Sequence, residues 1–381
     1  MHGSSVSARQ TEITLNGSCI VSLTPLLAGI ENNKVLSVRD TNCIHGVEEL
    51  EEILSAPTQA TIHAMGALEG DIVVLGVGGK MGPTLARMAK RASELAGVSR
   101  RVIGVSRFSE AQMEKQLQSW GVETYRCDLL DTKAYSNLPD AANVVYMAGM
   151  KFGSVGQESL TWAMNTFLPG LVSEKYRNSR IAVFSTGNVY GLSPVGLGGS
   201  LERDALHPVG EYAMSCLGRE RIFEHFSRAH QIPMCILRLN YATELRYGVL
   251  VDIAQRVYAG ESVPLAMGHL NAIWQADASA MSLQSLCHAS TPPRVINIAG
   301  PELLSVRRLA EEFGQRFKKP VRMDGVESGD ALLSNAQKAF QLFGYPGIGV
   351  GQMMTWIADW VERGQKGLAK PTHFENRDGN F

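Results

Sequence analysis

The sequence predicts an α/β protein with a doubly wound parallel sheet and a smaller C-terminal lobe, and three observations carry the sheet. Residues 71–82, DIVVLGVGGKMG, join a four-residue apolar run to a cluster of glycines. From there to about residue 300, short apolar runs alternate with helical stretches, the pattern of repeated βαβ units. Gly76, Arg107, Asp128, Gly149 and Thr186 each fall just past an expected strand end, where open α/β sheets bind ligands.

Ile72, Val73, Val74 and Leu75 have the length and branching of a buried strand. Gly76, Gly79 and Gly82 follow, with Gly78 between, and Pro83 opens a helix. Leu85, Met88, Ala92 and Leu95 lie on that helix at three- and four-residue spacing, and Gly97 ends it. Such a loop makes a phosphate cradle. Its glycines let the backbone turn sharply and approach a pyrophosphate, whose charge rests on the free amides of the helix N-terminus. A dinucleotide is expected here on Gly76, Gly78, Gly79, Lys80, Met81 and Gly82.

A second strand over 101–105 ends in Ser106-Arg107. An acidic residue there would hold a ribose 2′-hydroxyl, whereas a hydroxyl and a guanidinium suit a 2′-phosphate. This favours NADP, with NAD as the alternative. The plain reading of Arg107 is a solvated loop side chain. The third strand, 123–127, leads to Asp128-Leu129, placed to flank an adenine. The fourth, 143–147, ends in Ala148-Gly149-Met150-Lys151. Small residues there leave room for a cofactor, and Lys151 either reaches its phosphates or ribose or stays solvated. A helix over 158–176 carries Asn165, and a fifth strand over 181–184 runs into STGNVYG at 185–191.

Composition narrows the partners. A net charge of −1 over 381 residues leaves no electrostatic footprint for nucleic acid or an anionic membrane. No apolar run is long enough to span a bilayer. Residues 19–30 lack the charged flank and cleavage site of a signal peptide. The six cysteines are scattered without metal-ligand spacing, so no metal is expected, and reduced thiols of a cytoplasmic protein are. Residues 1–16 are polar and read as loosely ordered. Residues 45–68 carry helical runs broken at Pro57, read as an extension beside the first strand, with His45 and His63 structural. The expected division is an extension over 1–69, a dinucleotide-binding domain over 70–245, a mainly substrate-binding lobe over 246–365 that partly returns to the sheet, and a tail over 366–381.

Over residues 70–365 the sequence resembles the extended short-chain dehydrogenase/reductase family. Within it, the likeness is to the NAD(P)-dependent epimerase/dehydratase group that includes UDP-galactose 4-epimerase. The motifs are Gly76, Gly79 and Gly82, Asp128-Leu129, AGMK at 148–151, Asn165, STGNVYG, and EYAMSCLGRER from Glu211. IWQADASA at 273–280 and RVINIAGPELLSVRRLAEEF at 294–313 resemble the family's later elements. The resemblance implies a Rossmann sheet and a cofactor contact near Asn165. It implies that Thr186, with Ser185 sharing the task, hydrogen-bonds the reacting oxygen while Tyr212 acts as general acid/base. It also implies a homodimer through helices flanking the sheet.

One departure stands out. An unperturbed phenol has a pKa near ~10, and the family lowers it with a lysine one helical turn after the tyrosine. Here that position is Cys216. Another cation, Lys151 or Arg219 by sequence, replaces the lysine, or Tyr212 works inefficiently, or the site only binds. No histidine base beside Cys216 is evident to make it a nucleophile.

The substrate half is less legible. A Gly-Pro-Gly turn frequent in relatives is absent after the sixth strand, 235–239, which weakens the case for a nucleotide sugar. Asn240, Tyr241, Glu244, Arg246, His269, Asn271 and Trp274 either line a sugar-sized pocket or serve as loop and interface residues, and Asp277 reads as structural. The tail from Lys370 is an ordered arm or a frayed end. Two functions remain: an enzyme transferring hydride on a small sugar, sugar acid or polyol, or a dinucleotide-binding sensor or scaffold without turnover.

Overall fold

The strands named above pair side by side, and a last one joins them from the far end of the chain. In order they are β1 Ile72–Leu75, β2 Val102–Ser106, β3 Glu123–Arg126, β4 Asn143–Tyr146, β5 Arg180–Thr186, β6 Met234–Leu239 and β7 Arg294–Ile298. They form one sheet ordered β3-β2-β1-β4-β5-β6-β7, every pair parallel. The computed structural model describes residues 43–151, 156–368 and 370–379. The readings of residues 1–16 and 19–30, of Cys19 and of the last two residues of the tail lie outside them.

Helices cover both faces, so the central strands are apolar throughout. On one face Val73, Leu75, Val144, Tyr146, Ile181 and Val183 share a core with Leu168, Val172, Tyr176 and Phe223. The helices on the other face are α1 Val47–Leu54, α2 Gln59–Ala67 and α3 Gly82–Leu95, with α4 Ala111–Ser119 beside α3 and β3. The first face carries α5, which is α-helical over Glu158–Trp162, a π turn over Ala163–Phe167, and α-helical again over Leu168–Lys175. It packs on α6, Gly210–His230. Beyond β6 come α7 Val249–Ala259 and α8 Gln275–Gln284, and α8 packs on α3.

Three expectations change. β5 runs to Thr186 instead of stopping at Phe184, because β6 pairs along its full length, Ser185 with Arg238 and Thr186 with Leu239. Thr186 is therefore the last strand residue, held more rigidly than a loop would hold it. Leu95 is exposed at the helix end, whereas Leu85, Met88 and Ala92 are buried. The 45–68 extension packs on α3 and α8 rather than beside β1. β1 lies between β2 and β4, so neither of its edges is open.

The tail is an ordered arm over 370–379. Phe374 is buried, and both the amide and the hydroxyl of Thr372 donate to Asp252 Oδ2, at 2.7 and 2.6 Å. Arg377 pairs with Asp330 at 2.5 Å. Among the described residues no helix is long and apolar enough to cross a membrane.

Candidate active site

The glycines of the cradle are there for different reasons. Gly76 has φ +84°, and a Cβ on it would lie 2.7 Å from the Ala148 backbone. A Cβ on Gly82 would lie 2.2 Å from the Val77 carbonyl, and one on Gly78 2.5 Å from Ser106 Oγ. The protein itself requires those three. Gly79 differs: a Cβ there meets only the Gly76 carbonyl, at an ordinary 3.5 Å. Its open side lies on a cleft, so a ligand's approach is what a side chain there would obstruct. These features fit a dinucleotide's pyrophosphate, with the N-terminus of α3 facing it.

The cleft has two cavities that meet over Gly76, Gly79 and Gly149. One, of about 440 Å³, is lined by Gly78, Ser106, Arg107, Asp128, Leu129 and Ala148. All six were expected at a cofactor site. Arg126 donates to the Arg107 and Phe108 carbonyls at 3.1 and 2.8 Å, fixing the turn that presents Arg107. Asp128 accepts from the Leu130 amide at 3.0 Å, which sets the turn after β3.

The other cavity, of about 370 Å³, holds Lys80, Lys151, Ser185, Thr186 and Tyr212. The Tyr212 hydroxyl is hydrogen-bonded to the side chains of Thr186 and Cys216. Burial, then the Cys216 thiol, push the phenol up, and the Arg219 guanidinium pulls it back. Thr186 Oγ1 also accepts from the Asn188 side chain at 2.9 Å. Ser185 points its proton elsewhere, donating to Glu220 Oε1 at 2.6 Å. Glu220 forms a buried ion pair with Arg238 at 2.7 Å, and Arg238 donates to the Tyr190 hydroxyl at 2.8 Å. Ser185 is thus tied into a network that anchors β5, β6 and α6, and Thr186 alone of the two offers its hydroxyl to Tyr212.

One further assignment shifts. Asn165, expected at the cofactor, is fully buried and lines neither cavity. Its amide donates to the Met150 carbonyl at 2.9 Å and to Ser215 Oγ at 3.0 Å, and its oxygen accepts from the Met150 amide at 2.9 Å. It holds the turn after β4 from within the π turn of α5, the kind of irregularity that often marks a functional site. Gly149 lines both cavities, and its lack of a side chain also makes room for Arg219, whose Nη2 would lie 2.2 Å from a Cβ there.

The cavity beside Tyr212 is cationic. Burial, then Lys151 and Lys370, lower the Lys80 pKa to about 7, and its ammonium sits 3.1 Å over the Tyr247 ring. Cys216 is completely buried among Val189, Tyr190 and Tyr212, directly behind the cavity wall.

Of the polar and aromatic set expected at the substrate, only Asn240 and Tyr241 reach the cavity. Glu244 pairs with Arg246, which also pairs with Glu51 of α1. Asn271 bonds the Glu302 carbonyl and the Ser334 amide, Trp274 packs on Trp356, and His269 lies elsewhere, beside Ser305. Asp277 is structural, accepting from the Gly347 and Ile348 amides. His45 and His63 are exposed and away from the cleft. Tyr247, Gln275 and Thr372 line the cavity without having been foreseen. Tyr247 had a local signal in the aromatic loop after β6; Thr372 had none.

The model of the NAD dependent epimerase/dehydratase family matches residues 72–275, more than half of the chain. The chain belongs to that family. Its members are enzymes that use a nicotinamide dinucleotide, as the sequence led us to expect. Solved structures of the family share the fold. The UDP-glucuronic acid 4-epimerase of Bacillus cereus in complex with NAD is 18% identical, over 78% of this chain and 100% of its own, with a TM-score of 0.66. The dTDP-glucose 4,6-dehydratase of Bacillus anthracis, also with NAD, is 17% identical over 77% and 96%, with a TM-score of 0.65. The UDP-glucose 4-epimerase of Thermus thermophilus with NAD is 18% identical over 76% and 98%, with a TM-score of 0.62. No curated protein sequence matches the chain.

Proposed function

We propose that this family member prefers NADP and interconverts a hydroxyl and a carbonyl on a small sugar, sugar acid or polyol. The observation that carries the reading is the Tyr212–Thr186 pair, hydrogen-bonded in a cavity that opens directly onto the glycine cradle. Gly76, Gly79 and Gly82 would hold the pyrophosphate, and Ser106 and Arg107 the 2′-phosphate. A bound dinucleotide would accept a hydride from the substrate carbon or donate one to it. Thr186 fixes the substrate oxygen by a hydrogen bond. Tyr212, in its ionised form, would take the hydroxyl proton as C=O forms. In the reverse direction it returns the proton. Asn188, Asn240 and Tyr241 offer polar contacts on a scale suited to a sugar.

The retained Tyr212–Thr186 pair favours turnover over the sensor or scaffold reading, which Cys216 alone had suggested. The test is a screen of purified protein against aldoses, sugar acids and polyols with each cofactor. It follows nicotinamide absorbance and, separately, isomerised or dehydrated products. Turnover with NADP or NADPH is the expected result; a protein that binds neither dinucleotide overturns the reading.

A further inference from the structure

A phenol that exchanges protons near neutral pH needs a positive charge close by, since an opposite charge within ~4–6 Å favours its ionised form. One helical turn after Tyr212, on the same side of α6, stands Cys216, a buried free thiol that carries no such charge. The charge must come from other side chains.

Two cations approach. Arg219 is held in place, donating to the Phe184 carbonyl at 2.8 Å and to Asn165 Oδ1 at 2.5 Å. Lys151 arrives from the turn after β4, and its ammonium lies 5.7 Å from the centre of the Tyr212 ring. It lines the same cavity as Tyr212. Its placement is built. Asn165 grips both backbone groups of Met150, the preceding residue, and is itself gripped by Arg219.

We propose that Lys151 supplies, from the β4 turn, a positive charge that Cys216 cannot supply from the helix and that adds to that of Arg219, with Asn165 as its positioning residue. This rests on the hydride-transfer reading above. Burial lowers the Lys151 pKa to about 8, against the pull of Cys216 and Asp252, which leaves it mostly protonated at pH 7.

The test compares wild type, Lys151→Met, Lys151→Arg and the double variant Lys151→Met/Cys216→Lys. Calorimetry gives the affinities for NADP and NADPH, and thermal melting checks the fold. The oxidised nicotinamide ring carries a positive charge and the reduced ring does not. A lysine beside the reacting atoms therefore weakens NADP relative to NADPH. Lys151→Met should shift that ratio toward NADP by roughly three- to tenfold. Lys151→Arg should leave it near wild type, and Cys216→Lys in the Lys151→Met background should restore it. Turnover, where the screen supplies a substrate, should fall and recover in step. Equal weakening of both forms by Lys151→Met, or no recovery in the double variant, overturns the proposal alone. A wild type that binds neither form overturns it together with the reading beneath it.

Discussion

Around Arg107 the cleft is made of strand ends and the turns that follow them; around Tyr212 it is assembled from segments distant in the chain. Gly76, Arg107, Asp128 and Ala148 each follow a neighbouring strand of one sheet, so pairing those strands brings them together. The second cavity gathers Lys151, Thr186, Tyr212 and Thr372 from the β4 turn, the end of β5, α6 and the C-terminal arm. The first half is a consequence of sheet topology. The second depends on side-chain networks, chiefly the buried Glu220–Arg238 pair and the Asn165 clamp. Removing one partner of such a buried pair typically costs about 3–5 kcal/mol, so that network also fixes where α6 lies on the sheet.

The largest effect should come where the two halves meet. Gly79→Val adds bulk on the open side of the cradle, where a Cβ meets the protein only at an ordinary 3.5 Å. We expect loss of dinucleotide binding in a variant that melts near wild type. Unchanged affinity by calorimetry would remove the cradle from the site and, with it, the division into halves.

Next in size is Tyr212→Phe, which keeps the ring and deletes the proton carrier. Turnover should fall by roughly 10²–10⁴ while dinucleotide affinity barely moves. A variant with full turnover on a substrate of the wild type would strip the second half of its proposed chemistry.

Arg107→Ala probes the first half alone. Charge-assisted contacts to a phosphate contribute about 1.5–3 kcal/mol, so wild type should favour NADPH over NADH by roughly tenfold to over a hundredfold. The variant should lose most of that preference and keep its NADH affinity. Equal wild-type affinities for the two would assign the Arg107 turn to NAD.

The smallest effect sharpens the contrast in charge. With its pKa lowered to about 7, Lys80 carries its charge below that pH and sheds it above. A bound pyrophosphate holds the proton on, so dinucleotide affinity should be highest below pH 7 and fall several-fold as pH rises toward about 8. Asp252 and Glu244 oppose the shift of Lys80 and moderate the fall. Lys80→Met should flatten the profile between pH 6 and 8, read by titration at each pH; an identical slope in the variant would mean that Lys80 faces no phosphate.

The sequence by itself determined the sheet, because short apolar runs such as β1 and β4 suit strands buried on both faces, and their alternation with helical stretches leaves room for crossover connections. It determined the cradle too, since a glycine cluster between such a run and a Pro-started helix is a local backbone property. Tertiary structure alone decided what the polar side chains do. Ser185 and Thr186 are neighbours in sequence, yet their hydroxyls go to different turns of α6, one to Glu220 and the other to Tyr212. Asn165 had the spacing of a cofactor contact, but Arg219, fifty-four residues away along the chain, makes it part of a clamp. Thr372 reaches the cavity because Asp252 captures a tail with no periodic pattern of its own. A backbone motif carries its geometry within a dozen residues, whereas the partner of a buried polar group is chosen only once the chain has folded around it.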